Sequence, residues 1–66
     1  MTNRIKVERA ILNLTQEELA NRISVSRQTI NAMEANKYVP STVLALKIAK
    51  VFDKQVEEIF FLDTED

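Results

Sequence analysis

The sequence predicts an all-α protein of five short helices. The 66-residue chain contains no glycine and a single proline, Pro40, whereas strands joined by tight turns usually need more of both residues. Apolar residues recur at helical spacing, and residues that cap helices stand between the apolar segments. We expect one domain, residues 1–66, because a chain of this length supports one modest core.

The first two helices are predicted from the residues that precede them. Asn3 comes before an amphipathic segment, which predicts a helix over residues 4–12. Thr15 and Glu18 form the capping-box pattern T-x-x-E, so the second helix should begin directly after Thr15. Asn13 falls where the first helix should end, and asparagine tolerates the left-handed conformation of a helix C-terminus.

The third helix is predicted from Ser26, which caps residues 27–35, and Asn36 falls where this helix should end. Only residues 24–26 separate it from the second helix. So short a turn makes two helices cross steeply, which predicts a helix-turn-helix at about residues 16–35.

Two more helices and a small strand pair complete the expected fold. Ser41 should start a fourth helix that runs to about residue 52, and Asp53 is a candidate cap for a fifth helix over residues 55–60. A short pairing between residues 2–5 and the end of the chain is a further expectation.

Apolar spacing identifies the faces of these helices that should be buried. The fourth helix carries a continuous stripe with i, i+4 spacing, and the turn between the second and third helices carries one apolar residue. The predicted core residues are Leu19, Ala20, Ile23, Val25, Ile30, Met33, Leu44, Ala45, Ile48, Ala49 and Phe52.

Composition narrows the classes of function. The chain has no cysteine and no histidine, which excludes disulfides, thiolate metal sites and the usual zinc sites, so we expect no metal and no cofactor. No apolar run approaches membrane-spanning length, which makes a soluble cytoplasmic protein the default expectation. The net charge is −1, with about +2 on residues 1–38 and about −3 on residues 39–66. The basic part is therefore the candidate for an acidic partner.

The exposed face of the third helix suggests what that partner is. If Ile30 points inward, Arg27, Gln28 and Asn31 point outward or lie on the flanks, and no acid precedes Glu34 on this helix. A helix N-terminus attracts phosphates, because its free N–H groups can donate hydrogen bonds and it is the positive end of the helix dipole. Arginine pairs with guanine in the major groove, and glutamine or asparagine with adenine. These residues predict a DNA-binding helix.

Four motifs resemble a known family. They are L-T-Q-E-E-L-A at residues 14–20, V-S-R-Q-T-I-N at residues 25–31, Glu34, and N-K-Y-V-P-S at residues 36–41. Together they resemble the Cro/C1-type (XRE) helix-turn-helix family, which includes the phage lambda and 434 repressors, over about residues 3–60. The resemblance implies a lambda repressor-like domain. It also implies a transcriptional regulator, with a repressor role expected, that binds an inverted-repeat operator in double-stranded DNA as a homodimer through the major groove.

The resemblance also assigns residues to DNA binding. Arg27, Gln28 and Ala32 match base-contacting positions, and Gln16 matches a glutamine that contacts phosphate and braces the recognition helix. The other matched positions meet phosphates or groove edges. The full set is Gln16, Ser26, Arg27, Gln28, Thr29, Asn31, Ala32, Lys37 and Tyr38.

Two further positions match a structural pair of the family. Arg9 and Glu34 correspond to residues that link the first and third helices inside the domain. The chain also departs from the family pattern. Family members usually have glycine at the three helix ends where this chain has Asn13, Ser24 and Asn36. They usually have an apolar residue at the position of Glu8.

The end of the chain carries four large apolar residues in a row, Ile59, Phe60, Phe61 and Leu62. One face of a short helix cannot bury all four. They either close the core or, as we expect for Phe61 and Leu62 at least, form a two-fold interface between protomers.

Other functions remain open at this stage. An antitoxin or an adaptor would act mainly through another protein, although an adaptor that had lost DNA binding should also have lost Arg27 or Gln28. With no room for a sensor domain, an unidentified regulatory protein is a possible partner. A hydrolase that uses Glu17 and Glu34 lacks a nucleophile–base set and a pocket, so we do not expect an enzyme.

Overall fold

Five helices and one two-stranded antiparallel sheet make up the fold, and the computed structural model describes residues 1–66. In chain order the elements are β1 (Thr2–Asn3), α1 (Ile5–Ile11), α2 (Gln16–Ile23), α3 (Arg27–Glu34), α4 (Thr42–Phe52), α5 (Val56–Ile59) and β2 (Phe60–Phe61). Strand β1 pairs with β2, so that Thr2 lies opposite Phe61 and Asn3 opposite Phe60. The five predicted helices are confirmed, and the expected pairing of the two chain ends is present.

One hydrophobic core connects all five helices. Its members are Ile5, Leu14, Leu19, Ala20, Ile23, Ile30, Met33, Leu44, Ile48, Ala49, Phe52, Ile59 and Phe60. Burial of each large apolar side chain contributes about 1.5–3 kcal/mol before the cost of ordering the chain. Of the eleven core residues expected from spacing, only Val25 and Ala45 are partly exposed, and both pack against this cluster.

Side-chain caps define where three of the helices start. The Thr15 hydroxyl accepts from the Glu18 N–H at 3.0 Å, and the Glu18 carboxylate accepts from the Thr15 N–H at 2.9 Å, so the capping box of α2 is complete. The hydrogen bond that the Glu18 carboxylate accepts from the Thr15 N–H, and after it an interaction with the Thr15 side chain, hold the pKa of Glu18 below its ordinary value. Ser26 and Ser41 cap α3 and α4 in the predicted way.

Two predicted caps have different roles in the structure. Asn3 lies in β1, and Arg4 is the residue that precedes α1, although the Asn3 side chain still accepts from the Ile5 N–H at 3.1 Å. Asp53 does not start α5. It ends α4 with φ 54°, and α5 begins after Gln55, whose N–H donates to the Glu58 carboxylate at 2.8 Å. Asp53 ends α4, and does not start α5, because the end of α4 requires a residue in the left-handed conformation.

Glu8 is the one buried charged residue of the core region. It is 2% exposed, and its Oε2 lies 3.6 Å from Arg4 Nε and 3.4 Å from Lys54 Nζ. Burial of a carboxylate is costly without partners. The two cations reduce that cost, although Oε2 has no hydrogen-bond partner. This departure from the family pattern links α1 to the segment between α4 and α5.

Four helix-ending residues have left-handed backbone conformations, although the chain has no glycine. They are Asn13 (φ 58°), Ser24 (φ 61°), Asn36 (φ 60°) and Asp53 (φ 54°). Asparagine and aspartate adopt this conformation more readily than serine does. Ser24 is therefore the most strained of the four.

Replacement of Ser24 by glycine should stabilise the protein. Relief of the left-handed strain outweighs the greater flexibility of glycine in the unfolded chain, for a net gain of about 0.5–1 kcal/mol. Chemical denaturation measures this change, and Asn13→Gly is the matched control, expected to gain less. An equal gain from both variants, or a loss from Ser24→Gly, would contradict the assignment of strain.

Candidate nucleic-acid interface

The turn between α2 and α3 sets the position of the candidate recognition helix. The Val25 N–H donates to the Ala20 carbonyl at 3.0 Å, across the left-handed Ser24. Val25 packs against the core, while Ala20 and Ile30 are buried on the facing sides of the two helices. The small residue, the apolar turn residue and the β-branched residue thus hold α3 against α2 in the way expected for a helix-turn-helix.

The N-terminal turn of α3 is open to solvent and carries no acid. The Ser26 hydroxyl accepts from the Thr29 N–H at 3.2 Å, which satisfies one free donor of the helix. Arg27 and Gln28 are exposed beside this cap. The turn therefore presents a guanidinium, an amide and a positive helix dipole on one surface.

A shallow cleft lies next to that surface. Its volume is about 360 Å³, and its lining residues are Gln28, Thr29, Ala32, Lys37 and Tyr38. The structure thus brings five of the nine predicted DNA-binding residues together around one depression, from α3 and the residues just after it.

Arg9 and Glu34 join α1 to α3 as an ion pair. Arg9 donates from Nε to Glu34 Oε2 at 2.8 Å and from Nη2 to Glu34 Oε1 at 3.2 Å, and its Nη1 donates to the Leu14 carbonyl at 2.8 Å. The side chains are only 15% and 7% exposed. The hydrogen bond with Glu34 raises the pKa of Arg9 above its ordinary value. This two-pronged geometry is the strong form of such a pair.

Gln16 extends the ion pair to the surface of α3. Its Nε2 donates to Glu34 Oε1 at 3.1 Å and to Asn31 Oδ1 at 3.3 Å. Its Oε1 lies 3.5 Å from Arg27 Nη1, which is a weak contact. Because both amide hydrogens are directed to protein acceptors, this geometry supports the bracing role. A phosphate contact from Nε2 would require the amide to leave these partners.

Lys6 is a candidate that the sequence alone did not single out. It lines a polar depression of about 230 Å³ together with Arg9, Gln16, Asn31 and Glu34. Its spacing of three residues from Arg9 places both on one side of α1, which was the available signal. The side-chain amide of Asn3 was also missed. It donates to the Met33 carbonyl at 2.8 Å and so ties β1 to the end of α3.

The apolar residues at the end of the chain divide into two groups. Ile59 is fully buried and Phe60 is 8% exposed, so both close the core of the chain itself and have almost no surface to offer a second protomer. Phe61 and Leu62 are 39% and 78% exposed. The expected two-fold interface therefore rests on these last two residues.

No helix of the structure has the length and apolar character needed to cross a membrane.

With α3 held against α2 through a three-residue turn and its polar face exposed, the architecture defines a helix-turn-helix protein.

Comparisons with known proteins agree with this class. A family model described as helix-turn-helix matches residues 5–59. An uncharacterised HTH-type transcriptional regulator of Methanocaldococcus jannaschii is 52% identical over 66 residues, and one of Bacillus subtilis is 44% identical, with all of each chain covered. A crystal structure of a candidate DNA-binding protein from Bacteroides fragilis shares 31% identity and superposes with a TM-score of 0.79 over 88% of this chain and 94% of that one.

The chain belongs to the Cro/C1-type (XRE) helix-turn-helix family of transcriptional regulators. Proteins of this family are non-enzymatic and bind DNA, which excludes the hydrolase alternative.

The ion pair between Arg9 and Glu34 should stabilise the fold. Glu34→Gln leaves the guanidinium without its charged partner and turns an amide donor towards it. We expect the free energy of unfolding to fall by about 1.5–3 kcal/mol, the usual range for hydrogen bonds to charged groups. Urea denaturation tests this, with Glu57→Gln on the exposed side of α5 as the isosteric control. If Glu34→Gln lowers the free energy of unfolding no more than Glu57→Gln does, the pair contributes no more than a surface contact.

Proposed function

We propose that this protein is a sequence-specific regulator, acting as a repressor, that binds operator DNA in the major groove through the N-terminal half of α3. The observation that carries the proposal is the exposed, acid-free first turn of α3, on which Arg27 and Gln28 stand beside a capped helix N-terminus. We expect it to act in the cytoplasm.

Base contacts in this proposal come from Arg27 and Gln28. The guanidinium offers two parallel donors to guanine, and the Gln28 amide offers a donor and an acceptor to adenine. Asn31 has a more limited role. Its Oδ1 accepts from Gln16, so only its Nδ2 donors are free for a phosphate or a groove-edge acceptor.

Phosphate contacts position the protein and depend on donors around α3. Lys37 is exposed on the segment after α3, and Lys6 is exposed on α1. Ser26 and Thr29 share a hydrogen bond between their hydroxyl oxygens of 2.9 Å, which leaves one hydroxyl hydrogen available to an external acceptor. Contacts of this kind set affinity and register but carry no sequence information.

Symmetric pairing of two protomers would supply the remaining affinity. One recognition helix makes few contacts, whereas two can enter successive major grooves with centres about 34 Å apart. The operator would then be an inverted repeat with half-sites about 10 base pairs apart, centre to centre. Exposed Phe61 and Leu62 are the surface that such a dimer could bury.

The base-contact assignment can be tested at Arg27. DNA sites are first selected from a randomised duplex library with the wild type, because the operator is unknown. We expect Arg27→Ala to weaken binding to the selected site by about 1–3 kcal/mol and to relax the preference at one position. Arg22→Ala removes the same charge from the last turn of α2 and should not alter the preference. Equal losses on selected and random DNA would reject the assignment.

The dimer can be tested with Phe61→Asp combined with Leu62→Lys. The double variant leaves the net charge unchanged and should be monomeric, because the charges would be buried in the interface. Sedimentation measures the oligomeric state, and titration with the selected inverted repeat measures affinity. A wild type that sediments as a monomer at micromolar concentration would exclude the dimer. A monomeric variant with undiminished affinity would show that pairing does not contribute to recognition.

A further inference from the structure

The outer face of α1 carries an apolar surface that the core does not use. Val7 and Ile11 are 46% and 65% exposed, and they lie four residues apart, so both project from the same side of the helix. Ala10 is exposed between them, and Leu12, directly after the helix, is 46% exposed. These four residues form the α1 stripe, a hydrophobic surface without a partner inside the domain.

The α1 stripe leads away from the paired chain ends. The Arg4 N–H, just before α1, donates to the Ile59 carbonyl at 2.8 Å, which fixes the start of the helix beside the two strands. Seven residues at 1.5 Å each carry the other end of α1 about 10 Å further. The stripe ends at Leu12, four residues before α2 begins, whereas the proposed dimer surface, Phe61 and Leu62, lies at the paired chain ends.

Opposite charges flank the two ends of the α1 stripe. Arg4 and Lys54 lie at its beginning, where both approach the buried carboxylate of Glu8. Glu17 and Glu18 follow its end, in the first turn of α2. Two copies of α1 packed antiparallel about a two-fold axis would bring the basic end of each stripe to the acidic end of the other. The charges therefore favour a second copy of this chain as the occupant.

We propose that the α1 stripe is a contact between copies of this protein bound to neighbouring sites on one DNA duplex, and that this contact makes their binding cooperative. The contact rests on the proposed function, because DNA is what brings the copies together. Its few exposed aliphatic side chains fall short of the ~800 Å² per partner that a stable interface buries, so the copies do not associate through α1 in free solution. On one duplex they meet at an effective concentration of the order of millimolar, at which a weak contact is populated.

A direct contact of this kind depends on the spacing between the two sites. Copies on the same face of the duplex can touch, whereas copies rotated to opposite faces cannot. One turn of the duplex is about 10 base pairs, so cooperativity should rise and fall with that period as the spacing increases. This periodicity distinguishes a contact between proteins from two independent binding events.

The test uses the full chain and duplexes that carry two copies of the site selected from a randomised library. The spacing between the sites is increased by single base pairs over two turns, and quantitative footprinting measures the occupancy of each site. The cooperativity factor is the affinity for one site when its neighbour is occupied, divided by the affinity for that site alone. We expect a factor of at least about fivefold on one face of the duplex, and near one after a further half turn of about 5 base pairs.

A matched pair of variants connects the cooperativity to α1. Ile11→Gln should reduce the factor to near one at every spacing, because the contact would then bury an amide without a partner. Val7→Gln should act in the same way. Val43→Gln makes a similar change on α4 at a residue of almost equal exposure, 64%, and should retain the full factor. All three should keep the wild-type affinity for a single site, since none of these residues belongs to the candidate DNA-binding set. Circular dichroism establishes that each variant is folded.

The outcomes separate the two proposals. If the wild type selects no sequence, the proposed function fails. If it selects a site but fills two neighbouring sites independently at every spacing, the α1 contact is overturned while the proposed function stands. The same conclusion follows if Ile11→Gln and Val7→Gln both keep the full factor, or if Val43→Gln loses it to the same extent.

Discussion

The turn from Ser24 to Ser26 is the constraint on which the rest of this structure depends. Three residues must redirect the chain so that α2 and α3 cross steeply, and they do so through a left-handed serine at φ 61° and the hydrogen bond from Val25 to Ala20. This geometry brings Ile30 into the core and leaves Arg27 outside it. A change in the turn would therefore alter both the packing of α3 against the core and the surface that α3 exposes to solvent.

The polar network from Arg9 to the surface of α3 links stability to the candidate interface. Glu34 lies between the guanidinium of Arg9 and the amide of Gln16, and it accepts from both. Because a carboxylate can only accept, it directs the Gln16 amide donors inward. Gln16 in turn holds Asn31, so a contact within the domain determines which donors and acceptors the recognition helix can offer.

The paired chain ends contribute both to the core and to the proposed interface between protomers. Strand β2 pairs with β1 and buries Phe60, while Phe61 in the same strand is partly exposed. Successive residues of a strand point to opposite faces, which is why neighbouring phenylalanines have different surroundings. The alternation separates only Phe60 from Phe61, because Ile59 belongs to α5 and Leu62 follows β2.

Much of the fold followed from short-range features of the sequence, because helix caps and apolar spacing act within a few residues. The capping box at Thr15, the serine caps and the helix-turn-helix were all predictable in this way, and the left-handed Asn13 and Asn36 were placed at the ends of their helices. The residue types on α3 likewise indicated its exposed polar face. What only the tertiary structure decided are the contacts between distant segments. The burial of Glu8 against Lys54, the orientation of the Gln16 amide, the depression that Lys6 and Asn31 line together and the division of the C-terminal apolar residues depend on how separate elements pack, which no local pattern specifies.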